Sequence, residues 1–253
     1  MCLISIGSRY PFCLYHKKSK NIIDNLLFQF QENGWLFNNC NNTSSWKTFD
    51  WPDIVLTKRE FDHNDFWGLY EFEEEKEGQV LLQYNRIFES SKEYSVLYKE
   101  NDVRISKSFF ILVGIHEFIH WIMHFIPNKY GNESNIYFGK IRYSTEDEKD
   151  FHECFAQLFT YLIAQKDKNL SKLFKWKVSL QKGSYLKYQE LVNDGITLKD
   201  AITLLSSCRY LKIQSFTETK ILYEEIIKRR KFDKIEPEEW IIGNLLNWQS
   251  INL

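Results

Sequence analysis

Proline and glycine are scarce in this chain, four and ten among 253 residues. So few chain breakers exclude a collagen-like or linker-like polymer and leave an ordered, helix-rich chain. There is no internal repeat, no low-complexity tract and no glycine-rich phosphate loop. The five cysteines (Cys2, Cys13, Cys40, Cys154 and Cys208) are odd in number, scattered and without a C-x-x-C pair. That spacing speaks against a disulfide framework and predicts reduced thiols, as in a cytoplasmic protein. The net charge is −1, so nothing global attracts nucleic acid or an acidic lipid surface. The opening residues have no basic lead and too short an apolar run for a signal peptide. No nucleic-acid partner and no membrane partner is expected, and the expected compartment is the cytoplasm.

What the chain does have is core material, with 43% hydrophobic and 17% aromatic residues. A short strand is expected at Cys2–Ile6 and a helix from Ser19 to Glu32, followed by loop over 38–53. Leu69 to Glu73, a turn at Lys76-Glu77-Gly78, and Val80 to Phe88 read as a β-hairpin. Ser106 or Ser108 is expected to cap the next helix, and Thr145 to open another with acidic residues in its first turn. Beyond Asp167 the pattern is three or four amphipathic helices with no strand. Lys172, Lys175, Lys177 and Lys228–Lys231 read as solvated basic faces.

One stretch carries chemistry. His116-Glu117-Phe118-Ile119-His120 is H-E-x-x-H, set in an apolar run and stopped by Pro127. Histidines four apart on a helix lie one turn above each other on one face, so both rings can reach one ion. Neutral imidazole suits zinc. Glu117, one step along, is placed to take a proton from a water at that ion. The run is about long enough to span a membrane, but four ionisable groups in it favour a buried active-site helix. The competing reading is a polar cluster satisfied by hydrogen bonds alone. His124 stands about 12 Å along the helix from His116, too far to share its ion, and is expected either behind a ligand or on the substrate side.

A catalytic zinc site usually takes a third protein ligand. Glu153 is the best placed, in Glu153-Cys-Phe-Ala156-Gln157, where Ala156 allows close helix approach and Gln157 is positioned to hydrogen-bond a ligating imidazole. His152 is the rival, and a plain surface glutamate is the alternative for Glu153. These motifs resemble the gluzincin group of zinc metallopeptidases, and within it the ImmA/IrrE-type intracellular enzymes, over about residues 69–165. The sequence departs from that pattern at Ile119, where a small residue is usual, and at Gln157, where the amide is usually Asn or Asp.

The resemblance implies an α+β, helix-rich fold: a minimal zincin core with a small antiparallel sheet, the H-E-x-x-H helix and a packed glutamate-bearing helix. Residues 1–165 would form the metallopeptidase domain and 166–253 a helical extension packed on it. The implied cofactor is Zn2+, held by His116, His120 and Glu153. The implied activity is hydrolysis of a protein or peptide substrate, with Glu117 as base and strand Val80–Phe88 pairing with the substrate. Tyr143 and His124 are candidate donors to the oxyanion. Two other functions stay open: a catalytically silent zinc-binding interaction protein, and a nucleic-acid binder using the basic segments. An intact Glu117 favours the peptidase.

Overall fold

The computed structural model describes residues 53–57, 67–73, 76–125 and 145–228. The expected strand at Cys2–Ile6, the expected helix from Ser19 and Tyr143 lie outside these residues. The layout is α+β, with one three-stranded sheet and a larger helical part. Strands β1 (Asp53–Thr57), β2 (Gly68–Glu73) and β3 (Lys76–Gln83) lie in the order β1-β3-β2.

The sheet is mixed rather than antiparallel. β3 pairs antiparallel with β2 (Gly68 opposite Leu82) but parallel with β1 (Asp53 opposite Gln79, Thr57 opposite Gln83). The hairpin is shifted from its expected bounds. β3 begins at Lys76, opposite Glu73, where a turn was expected, and it stops at Gln83. Residues 84–88 are helical, because Tyr84 opens helix α1 (Tyr84–Tyr98). Its buried stripe hid from the hydrophobic period: three of its five buried residues are serines, Ser90, Ser91 and Ser95. Ser91 Oγ donates to the Ile87 carbonyl (2.6 Å) and Ser95 Oγ to that of Ser91 (2.7 Å), so neither hydroxyl is stranded.

Helix α2 (Asp102–Phe125) carries the H-E-x-x-H motif. Its cap is Asn101, whose Oδ1 accepts from the Arg104 amide at 3.0 Å; Ser106 and Ser108 lie inside the helix. Every residue from Phe109 to Met123 is buried. This explains the all-round apolarity: α2 is walled by the sheet, by α1 and by later helices. It is long and apolar enough to cross a membrane, yet 89% of its apolar window is buried within the protein. It is a core helix.

Helix α3 (Glu146–Ala164) starts as expected, with Thr145 accepting from the Glu148 amide at 3.1 Å. Four further helices follow, α4 (Lys168–Ser179), α5 (Tyr188–Asn193), α6 (Leu198–Tyr210) and α7 (Phe216–Leu222). A 3₁₀ turn (Gly183–Leu186) precedes α5, a π turn (Tyr223–Lys228) ends the described chain, and no strand occurs among the described residues past Ala164. One apolar cluster runs from Trp67 through α2 and α3 to Tyr223. Within it Trp176 of α4 lies edge-on to both Tyr94 of α1 (5.3 Å) and Phe109 of α2 (6.0 Å), which seats α4 against the motif helix.

The first turn of α3 is tied to the start of α7. Asp147 accepts from the Ser215 hydroxyl, the Thr217 amide (3.1 Å) and the Thr217 hydroxyl (3.0 Å). Burial alone would raise the Asp147 carboxyl, but these donors hold it below its usual 3.8. Its stabilisation is therefore complete above that value and fades as pH falls through the lower folded value. Replacing Asp147 by Ala should cost about 1–3 kcal/mol in urea unfolding at pH 7. The gap between variant and wild type should narrow when the measurement is repeated at pH 3.

Candidate metal centre

α2 sets His116 and His120 on one face, and α3 brings Glu153 to them. All three are buried. His116 Nε2 lies 3.3 Å from His120 Nε2 and 3.2 Å from Glu153 Oε2, and His120 Nε2 lies 3.8 Å from the same oxygen. Two ligands on a tetrahedral ion at about 2.0–2.2 Å stand about 3.3–3.6 Å apart, so three such corners would form a triangle of this size. Glu153 Oε2 is fully buried and no N–H is aligned on it as a hydrogen bond, despite two nitrogens so near. Three lone-pair atoms facing a common point, one an orphaned carboxylate oxygen, make a group able to hold a metal ion.

Burial and the neighbouring charges act differently on the three groups. Burial, opposed by Glu153 and helped by Lys177 and His120, pulls His116 down to about 4, so its ring is neutral. Burial would raise Glu153, but hydrogen-bonding distance to both imidazoles outweighs it and holds the carboxyl far below the usual range. Burial also lowers His120, yet the carboxylates of Glu153 and Glu117 leave it above 6.5. His116 Nδ1 has no acceptor among the described residues; its ring is set by packing, with the Tyr185 ring 6.1 Å away.

Glu117 stands apart from the triangle. It lines a small cleft together with Trp67, Gly68, Val113, His116, Lys177, Gln181 and Tyr185. Burial pushes its carboxyl up to about 7, with Glu153 adding to this and His120, Lys177 and the Tyr70 backbone opposing it. A carboxyl poised near neutral pH can take and return a proton. Gly68, at the start of β2, makes the position possible. A Cβ there would stand 2.7 Å from Glu117 Oε1 and 2.7 Å from Val113 Cγ1, closer than carbon tolerates.

No known family model, no curated protein and no solved structure matches this chain. The metal centre therefore rests on its geometry.

Of the other sequence candidates, His124 lies on the last turn of α2 with its side chain outside the described residues, as is Tyr143 in its entirety. His152 is buried with its ring edge-on to Phe151 (5.2 Å), and the metal-capable group comprises His116, His120 and Glu153 without it. Gln157 corrects the expectation for it. Its Nε2 donates to Gln181 Oε1 at 2.7 Å, bracing a residue of the cleft wall rather than an imidazole. Lys177 was expected on a solvated face and is instead 2% exposed. Gly68 left a faint trace in the sequence, since a glycine inside a strand marks close backbone approach. Lys177 and Gln181 left none.

Purified chain should bind one divalent ion, and His116→Ala or His120→Ala should lose it, as metal analysis after dialysis would show. Gly68→Ala should destabilise by about 1–3 kcal/mol through overpacking. Thermal unfolding would measure that cost, and the displaced Glu117 should lose its titration near neutral pH.

Proposed function

We propose that this chain is a zinc-dependent peptidase of the cytoplasm, hydrolysing peptide bonds in a protein or peptide substrate, with Glu117 as general base. The observation that carries the reading is the division of two buried carboxylates between two tasks, one on each side of His116. Glu153 closes the triangle with His116 and His120, while Glu117 is held out of it and faces the cleft. Two imidazoles and one carboxylate leave an open fourth position, the donor set of a catalytic zinc. When bound, zinc lowers the pKa of a water and polarises a substrate carbonyl.

The chain's own groups do the rest. Glu117 takes the water's proton as the new C–O bond forms, then delivers it to the amide nitrogen as the C–N bond breaks. Burial supports this role, because a carboxyl with its pKa near neutral both accepts and returns the proton. The substrate strand expected from the sequence needs a correction: β3 is the central strand, paired on both sides, and has no edge to offer. Among the described residues β2 is an edge strand, and it begins at Gly68 against Glu117. An extended peptide adding to β2 would run past the cleft, with main-chain hydrogen bonds supplying affinity.

A silent metal-binding protein would need His116, His120 and Glu153 but not Glu117. A buried carboxyl with a glycine kept beside it is costly to the fold and serves no ligand. That favours catalysis.

Glu117→Gln keeps shape and hydrogen bonding but cannot accept the proton. Cleavage of denatured protein substrates should fall by about 10²–10⁴-fold with zinc content unchanged. Glu153→Gln should lose metal and activity together, and a chelator should abolish wild-type cleavage. Zinc-loaded wild type that cuts no peptide would leave the silent metal protein as the surviving reading.

A further inference from the structure

The cleft holds a cation that neither the metal triangle nor the proton transfer uses. Lys177 comes from α4, is 2% exposed and lines the cleft with His116 and Glu117. Its Nζ lies over the Trp67 ring, 5.6 Å from the centroid. A buried ammonium ordinarily sits on a carboxylate or carbonyl acceptor. None of the ion pairs or hydrogen bonds among the described residues uses this one, so Trp67 backs the charge without neutralising it.

Beside it stands Gln181, buried at the end of the same segment. Its carbonyl oxygen is committed to the Gln157 amide at 2.7 Å, so what Gln181 has left to offer the cleft is its own NH₂. Gln157 is itself fully buried on α3, one turn beyond Glu153, so the helix that supplies the metal-capable carboxylate also orients this donor.

We propose that Lys177, with the Gln181 amide, forms an anion-receiving wall of the cleft and takes the negative charge that develops on the carbonyl oxygen of the scissile peptide bond. The inference rests on the peptidase reading and gives it the electrophilic donor that Tyr143 and His124 were expected to supply. As the water's oxygen bonds to the carbonyl carbon, the C=O electron pair moves on to oxygen. It returns when the C–N bond breaks and the amine leaves with the proton from Glu117. Glu117 and Glu153 act on this ammonium from a distance, but neither is in ion-pair contact with it, so it can stabilise the charged stage more than the neutral carbonyl, which is what lowers a barrier. Charge balance agrees. Ionised Glu153 and Glu117 together neutralise a divalent ion, so Lys177 leaves the loaded cleft with one positive charge in surplus, and a small anion would satisfy it.

The test uses the full chain loaded with cobalt(II), whose visible absorption reports both metal uptake and anion binding, and inorganic phosphate as the anion. Lys177→Met and Lys177→Gln should bind cobalt as tightly as wild type or more so, because a nearby positive charge is gone. Both should bind phosphate about tenfold or more weakly, the worth of one charge-assisted hydrogen bond. Phosphate affinity unchanged in both variants overturns the proposal and leaves the peptidase reading standing. Cobalt and phosphate affinities falling together also overturn it, since that is the signature of a lysine that merely supports the fold. Wild-type chain that takes up no cobalt overturns both readings at once.

Discussion

An ionised carboxylate inside a phenylalanine-rich core is the constraint on which the rest of this structure turns. Glu153 sits on α3 among Phe151, Phe155 and Phe159, all buried. Removing such a charge from water costs several kcal/mol, and the cost is recovered only where partners of opposite charge or good geometry meet it. His116 and His120 of α2 stand 3.2 and 3.8 Å from its Oε2, and they are one helical turn apart, so α2 and α3 must lie in one register for all three to share an ion. A slip by one residue on either helix would turn a ring or the carboxylate into hydrocarbon. The buried site thus selects the packing of the two central helices as much as the apolar surface around it does.

That register is maintained from outside. Thr145 caps α3 at its start, and Asp147 anchors the same turn to Ser215 and Thr217 at the start of α7. Trp176, lodged against α1 and α2, holds α4 and brings Lys177 to the cleft. Helices that carry no metal-capable group of their own therefore finish the pocket. The sheet contributes through β2: it starts with a residue that has no Cβ, Glu117 fills the space where one would be, and the Tyr70 backbone hydrogen-bonds the Glu117 carboxyl. His116 of the metal-capable triangle, the separate titratable carboxyl of Glu117 and the buried ammonium of Lys177 line one cleft, to which α2, α4 and β2 all contribute.

The motif helix, the entry of α3 at Thr145, the choice of Glu153 over His152 and the run of helices after Asp167 were legible in the sequence. Each depends on interactions within a few residues: i, i+4 spacing, a cap, an amphipathic stripe. The strand that ran too far failed for the same reason. Tyr84, Ile87 and Phe88 continue an apolar pattern that suits strand or helix, and the stripe that decides for helix is built of Ser90, Ser91 and Ser95. Those serines bury because their hydroxyls are satisfied, Ser91 and Ser95 by the preceding turn and Ser90 by the Trp67 indole N–H, a fact that hydropathy does not carry. Gln157 was assigned to an imidazole because only the motif was in view; its partner, Gln181, lies on a segment whose approach no local pattern announces.

By itself the sequence determined which side chains can do chemistry: two histidines on one helical face, a carboxylate between them, and a second carboxylate on a later helix. Those choices follow from periodicity, a property of the chain over one or two turns. Only the tertiary structure decided that β3 is the central strand, why Gly68 must lack a side chain, and that Lys177, one lysine of a basic run, is buried. These depend on contacts between residues far apart in the chain. For a lysine above all, burial follows from what packs over it, and its neighbours in sequence do not encode that.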